Sequence, residues 1–137
     1  MDRRDFVKSS CTLCLAVGAG MLTACGTTTA LYKAPITNNQ LAIPVSLFEK
    51  SDFQLISPEQ FAYNIALRKE NDGSYTALLL RCTHHDNQLI TTGNGYRCTL
   101  HGSQFDNEGR VTNGPAERPL KKYPTQFINN QIIIQLT

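Results

Sequence analysis

The sequence has little excess charge of either sign and lacks a cluster of basic residues. Its 13 Lys and Arg residues stand against 11 Asp and Glu residues, which gives a formal net charge of +2 over 137 residues. Bases and acids are interspersed, and no basic group accompanies the aromatic residues. Proteins that bind nucleic acid use a basic patch, because contacts to phosphate supply much of their affinity. The composition therefore argues against nucleic acid as a partner.

From residue 41 onward the sequence also lacks a long apolar stripe at helical spacing. Short segments of β-type residues stand there instead, separated by turn residues. The clearest separator is Asp72-Gly73, which is a strong hairpin signal because Gly accepts a positive φ. The pattern predicts an all-β domain, a small sandwich or barrel. Strands are predicted at residues 41–45 (an edge strand, because it contains Pro44), 61–68, 75–80, 126–128 and 131–136.

The N-terminus lacks an apolar run long enough to cross a membrane as a helix. Its apolar run occupies residues 11–24, whereas a helical span needs ~20 residues. Residues 3–8 (RRDFVK) resemble the twin-arginine export signal, and residues 22–26 (LTACG) resemble a lipobox. The resemblance implies cleavage before Cys25 and attachment of lipid to that cysteine. A Sec signal and an uncleaved membrane anchor are the alternatives.

This interpretation divides the chain into three parts. Residues 1–24 are predicted to be a twin-arginine lipoprotein signal, residues 25–40 a linker or tether, and residues 41–137 the folded domain. We therefore expect an exported protein on the periplasmic side of the membrane. Its contact with the membrane would be the lipid on Cys25.

Histidine is scarce, and its placement is informative. All three histidines lie within residues 84–101, beside two of the five cysteines. They form a Cys82-x-His84 pair and a Cys98-x-x-His101 pair, separated by the 13 residues from 85 to 97. Each pair follows a predicted strand, so we expect both on loops at one end of a sheet. A structural Cys₂His₂ zinc site is the plain alternative, but its usual C-x₂₋₄-C and H-x₃₋₅-H spacings are absent.

The succession of residues around these pairs resembles the Rieske family of [2Fe–2S] proteins. After Cys98 the sequence continues as HGSQFD, then GRV, then GPA with Pro115, which is similar to the cluster-binding subdomain and proline loop of that family. The similarity covers roughly residues 41–137 and is strongest over residues 82–120. It implies a small Rieske-like antiparallel sandwich with a cluster-binding subdomain of two ligand loops. It also implies one [2Fe–2S] cluster, with the metal ligands Cys82, His84, Cys98 and His101.

Several positions depart from the high-potential members of that family. Those members carry one extra cysteine at each pair, and the two form a disulfide; here Asn87 and Leu100 stand in their places. They also carry a Tyr that bonds a ligand sulfur, where this sequence has Phe105. Ser103 is retained and is expected to donate to a bridging sulfide. Because donors to sulfur favour the reduced state, we expect a potential in the middle or lower part of the Rieske range of about −150 to +300 mV.

The resemblance implies one-electron transfer outside the cytoplasm, with a redox protein of unknown identity as donor or acceptor. A Rieske oxygenase would need a second iron held by two His and a carboxylate. With three histidines, two of them assigned to the cluster, the chain is not expected to be an enzyme by itself. The alternative is a Rieske subunit of a larger membrane-associated oxidoreductase, of the quinol–cytochrome c or molybdenum-enzyme type. A redox-sensing or structural lipoprotein is the third hypothesis, and His85 is expected to face solvent.

Overall fold

The computed structural model describes residues 29–137. The predicted export signal, the lipobox with Cys25 and the first residues of the predicted linker lie outside the described residues. Within residues 29–137 no helix is long and apolar enough to cross a membrane.

The described part of the chain is built of short strands. The one helical element among residues 29–137 is a 3-10 helix at Val45–Phe48. The strands are β1 (Leu31–Ala34), β2 (Gln40–Pro44), β3 (Phe53–Pro58), β4 (Ile65–Lys69), β5 (Tyr75–Leu79), β6 (Ile90–Thr92), β7 (Gly95–Arg97), β8 (Gln104–Asp106), β9 (Val111–Asn113), β10 (Lys122–Tyr123), β11 (Thr125–Ile128) and β12 (Gln131–Gln135). The prediction of an all-β fold is confirmed.

These strands form three sheets. One has five strands in the order β1-β3-β4-β5-β10, one has three in the order β11-β12-β2, and one has four in the order β6-β7-β8-β9. All neighbouring strands pair antiparallel except β1 and β3, which are parallel. Strand β2 lies at the edge of its sheet, which agrees with the position expected for Pro44.

The five-stranded sheet is buried on both faces, because successive side chains of a strand point to opposite sides. Ile65 and Leu67 of β4 face a core that also contains residues of the three-stranded sheet. Ala66 of β4 and Leu78 of β5 face a second core, which contains residues of the four-stranded sheet. Burial on both faces explains why residues 77–80 are apolar without interruption.

The hairpin between β4 and β5 forms where the sequence predicts it. Gly73 has a φ of +83°, and the Asp72 carboxylate accepts the Ser74 backbone N–H at 2.9 Å. The predicted strand at 61–68, however, begins only at Ile65. The backbone N–H of Asn64 donates to the side chain of Gln88 at 2.9 Å, so the chain before β4 is held by a loop rather than by a strand.

Strand β1 (Leu31–Ala34) and the first residue of β2 lie within the predicted linker at residues 25–40, so the structured part of the chain begins earlier than residue 41. Strand β1 pairs with β3, and Ala34 at its end is fully buried in the first core. One buried residue in a four-residue strand leaves no alternating pattern to detect, and the partner strand lies more than twenty residues away. The strand is stabilised by this long-range pairing, which no local sequence pattern reveals.

Candidate metal centre

The two predicted ligand loops have the same construction. The backbone N–H of Cys82 donates to the Asn87 carbonyl at 2.9 Å, and that of Cys98 donates to the Ser103 carbonyl at 2.8 Å. Each loop therefore closes on the carbonyl five residues after its cysteine. The first loop follows β5 and the second follows β7, so both begin on paired strands. The cysteines are thereby fixed at the base of the loops.

The structure brings the four predicted ligands to one end of the domain, cysteines inward and histidines outward. Cys82 is 2% exposed and Cys98 is 1% exposed, and both are free thiols in contact with each other. His84 and His101 are exposed. Their ring centroids lie 5.0 Å apart, with the ring planes at 88°. The ligand assignment itself stays a prediction.

This arrangement fits the donor set of a Rieske cluster. Within residues 29–137 no group of three or more His, Cys, Asp or Glu side chains is arranged to hold a single metal ion. A Rieske [2Fe–2S] cluster instead takes two cysteines on one iron and two histidines on the other. The buried Cys82 and Cys98 would supply the first pair of ligands, and the exposed His84 and His101 would supply the second.

Hydrogen bonds around Cys98 favour its ionised form. Burial raises the pKa of Cys98. Hydrogen bonds from the backbone N–H groups of Leu100 and His101 and from the side chain of Asn87 outweigh this effect, so the pKa lies below its ordinary value. The thiolate is the form of cysteine that binds a metal. The surroundings of Cys98 therefore favour the ionisation state in which a cysteine can bind a metal.

Ser103 lies behind the second loop and is fully buried. Its hydroxyl oxygen accepts the backbone N–H of Ala116 at 3.0 Å, which ties it to the proline loop, defined here as residues 113–119. A hydroxyl carries one proton of its own to donate. That proton is the one predicted to reach a bridging sulfide.

The proline loop is tied to both ligand loops. Asn113 donates from its side-chain amide to the Gly102 carbonyl at 3.3 Å. Thr83 donates from its hydroxyl to the Arg118 carbonyl at 2.6 Å, and the Arg118 guanidinium donates back to the Thr83 carbonyl at 3.3 Å. Pro115 is exposed and follows a cis peptide bond. The loop forms a third wall beside the predicted site.

Phe105 packs beneath the ligand loops. It is 2% exposed and shares the second core with Cys82 and Cys98. Its strand, β8, is held against β7 at a very close approach, where a Cβ added to Gly95 would overlap the Phe105 carbonyl oxygen. The position of Phe105 therefore depends on the absence of a side chain at Gly95.

Asn87 has a contact that the sequence does not predict. The sequence marks it only as a residue that cannot form the disulfide of high-potential members. In the structure its side-chain nitrogen lies 3.5 Å from the sulfur of Cys98, on the opposite loop. An amide side chain five residues after the first cysteine was the only available signal, and it does not specify which loop the amide contacts. His85 is exposed, as expected, with its ring 6.0 Å from that of His101.

The family comparison agrees with this geometry. A model of the Rieske [2Fe–2S] domain matches residues 40–124, which is more than half of the chain. The match includes both ligand loops and the proline loop.

Individual relatives match over shorter stretches. The ubiquinol-cytochrome c reductase iron-sulfur subunit of Rickettsia prowazekii (strain Madrid E) is 38% identical over 36% of this chain and 37% of that protein. The cytochrome b6-f complex iron-sulfur subunit of Chlorobaculum thiosulfatiphilum is 30% identical over 55% of this chain and 42% of that protein. The chain thus matches less than half the length of these curated relatives.

A solved structure shows the same fold. It is the complex of reduced oxygenase and oxidised ferredoxin in carbazole 1,9a-dioxygenase, of which one chain superposes with a TM-score of 0.53 and 17% identity. The superposition covers 73% of this chain and 95% of that chain. Because the family model covers most of the folded domain, the chain belongs to the Rieske [2Fe–2S] family, and its domain carries one [2Fe–2S] cluster.

Proposed function

We propose that this protein is a one-electron carrier whose cluster is held by Cys82, His84, Cys98 and His101. The observation that carries the proposal is the separation of a buried cysteine pair from an exposed histidine pair on two adjacent loops. When bound, the cluster accepts and releases one electron. In this proposal the chain is an electron-transfer protein and not an enzyme by itself, and its residues hold the cluster and tune its potential.

The protein residues decide how the site meets its partner. The cysteines lie in the second core, which excludes water from their side of the site. The histidines are exposed, and Leu100 beside them is 53% exposed. A donor or acceptor therefore approaches from the histidine side. Burial and hydrogen bonding are the means by which such a protein sets its potential.

Two thiolates rather than four favour a higher potential. The oxidised [2Fe–2S] core carries a formal charge of +2, so Cys82 and Cys98 as thiolates bring the site to neutrality. Adding an electron to a neutral site costs less than adding it to an anion. Rieske potentials are accordingly higher than those of plant-type ferredoxins, which are about −400 mV.

A second candidate function is that of a Rieske subunit in a larger membrane-associated oxidoreductase. It is favoured by the names of the relatives, which are subunits of ubiquinol-cytochrome c reductase and of the cytochrome b6-f complex. A subunit of a molybdenum enzyme is the other form of this hypothesis. Native electrophoresis of gently solubilised membranes separates the two functions, because a subunit migrates with a large complex and a carrier migrates alone.

The location proposed for either function is the periplasmic side of the membrane. It is supported by the resemblance of residues 3–8 to a twin-arginine signal and of residues 22–26 to a lipobox. The twin-arginine pathway moves folded proteins, so a cluster inserted in the cytoplasm would survive export. Lipid on Cys25 would then hold the domain at the membrane.

The test of the main proposal is spectroscopic. The purified protein should be red-brown and contain two irons per chain. After reduction it should show the EPR signal of low average g that histidine ligation gives. A colourless protein with stoichiometric zinc would contradict the proposal.

A further inference from the structure

Asn87 in the first loop forms hydrogen bonds to both cysteines of the site. Its backbone carbonyl accepts the Cys82 N–H at 2.9 Å. Its side-chain nitrogen lies 3.5 Å from the Cys98 sulfur and 3.2 Å from the Gln88 carbonyl oxygen. An amide nitrogen carries two protons, so both contacts can be donated at once. The Gln88 contact fixes the direction in which the amide points.

We propose that Asn87 is a positioning residue that links the two ligand loops through the Cys98 sulfur and raises the reduction potential of the cluster. The proposal deepens the proposed function and rests on it. From the sequence, Asn87 shows only that the disulfide between the two loops is missing. In this proposal the same residue connects the two loops.

The place of the contact supports a linking role. Leu100, at the other position where high-potential relatives have a cysteine, is 53% exposed, and its apolar side chain has no sulfur with which to form a disulfide to the first loop. The Asn87 contact crosses between the same two loops, from residue 87 to residue 98. It therefore provides a hydrogen bond between the loops, where the covalent bond is absent.

The direction of the effect on potential follows from charge. Reduction adds one electron to the site, with no bond made or broken at Asn87 and no proton transferred from its amide. A donor to the sulfur draws charge from the thiolate, and this stabilises the state with the additional negative charge. Removing the donor should therefore lower the potential, and replacing it by a carboxylate should lower the potential further.

The experiment compares Asn87→Leu, Asn87→Asp and Asn87→Gln in the cluster-loaded protein. Leu has nearly the shape of Asn without the donor, Asp presents acceptors only, and Gln keeps the amide. The matched control is Asn107→Leu, which removes an amide that accepts from Arg68 at 2.9 Å and contacts no sulfur. Protein-film voltammetry supplies the electron from the electrode and measures the midpoint, and EPR reports whether the cluster is intact.

In Asn87→Leu we expect the reduction equilibrium constant to fall by about threefold to tenfold, tenfold being 59 mV for a one-electron couple. Asn87→Asp should fall further, Asn87→Gln should lie nearest the wild type, and Asn107→Leu should keep the wild-type midpoint. A wild type without the Rieske EPR signal would refute the proposed function itself. With that signal present, an unchanged midpoint in Asn87→Leu would overturn the inference alone. If the Leu variant does not retain the cluster, equal midpoints for the Gln and Asp variants overturn it.

Discussion

At the scale of single residues, the neighbours His84 and His85 have different predicted roles. Both are exposed, and both rings lie near His101, with centroid distances of 5.0 Å for His84 and 6.0 Å for His85. Proximity alone therefore does not distinguish them. The resemblance to the Rieske pattern C-x-H assigns the ligand role to His84 and leaves His85 in solvent.

Replacement of single histidines tests this assignment. His84→Ala and His101→Ala should each abolish the Rieske EPR signal, because each removes one of the two nitrogen ligands of an iron. His85→Ala should keep that signal and serves as the matched control from the same loop. Loss of the cluster in His85→Ala, with retention in His84→Ala, would show that the ligand has been assigned to the wrong histidine.

Ser103 and Phe105 test how hydrogen bonds to sulfur set the potential. Ser103→Ala removes a proton predicted to reach a bridging sulfide, so the midpoint should fall. Phe105→Tyr adds a hydroxyl below the cysteines, so the midpoint should rise if that hydroxyl reaches a sulfur. One hydrogen bond to a charged group is worth about 1.5–3 kcal/mol, and 59 mV is about 1.4 kcal/mol, so each shift should be tens of millivolts to about a hundred.

Voltammetry and thermal unfolding together distinguish an effect of these two substitutions on the potential from an effect on stability. Ser103 also accepts the Ala116 N–H, so Ser103→Ala should lower the unfolding temperature as well as the midpoint. A variant that loses stability without any change of midpoint would show that Ser103 only holds the proline loop. Phe105 is 2% exposed, so a Tyr hydroxyl that finds no partner would destabilise the protein without raising the potential.

At the scale of elements, the second ligand loop depends on the close pairing of β7 with β8. Gly95 has a φ of +153°, and a Cβ there would lie 2.9 Å from the Asp106 Cα besides overlapping the Phe105 carbonyl. Gly93, two residues earlier in the same turn, has open space around the corresponding position. The same substitution at these two glycines therefore has unequal consequences.

Gly95→Ala should destabilise the domain by about 3 kcal/mol, because the new methyl group forces the backbone of β8 to move. Gly93→Ala should change stability by less than about 0.5 kcal/mol. Denaturant unfolding of both variants measures the difference. Because β8 carries Phe105 and follows the second loop, Gly95→Ala should also reduce iron content. Equal stability of the two variants would show that β7 and β8 separate at little cost.

The elements also show which parts of the structure are accessible from sequence. The β4–β5 hairpin is predicted because Asp72-Gly73 is a local turn signal between two apolar segments. Strand β1 is missed because its pairing with β3 is long-range and its four residues carry no period. The contact of Asn87 with Cys98 is missed for the same reason, since it depends on how two loops lie against each other. Local chemistry is predictable here, whereas contacts between distant segments need the fold.

At the scale of the whole molecule, the five-stranded sheet contributes side chains to both cores of the domain. One face supports the core shared with the three-stranded sheet, and the other supports the core that contains Cys82 and Cys98. Leu78 and Leu79 are adjacent in β5 and belong to different cores. The predicted site therefore lies on the face of the sheet opposite the first core. A substitution that loosens packing in the second core should also displace the cysteines.

The predicted cellular location rests on residues 3–26, which lie outside the described residues. If residues 3–8 are a twin-arginine signal, replacing both Arg3 and Arg4 by Lys should retain the precursor in the cytoplasm, although the charge is unchanged. If Cys25 is the lipidated residue, mass spectrometry of the native protein should find an acylated N-terminus at that cysteine. Cys25→Ser should then release the domain from the membrane, with the EPR signal retained because the cluster ligands lie elsewhere. Normal export of the Lys variant would indicate a Sec signal, and an intact N-terminus in the membrane would indicate an uncleaved anchor.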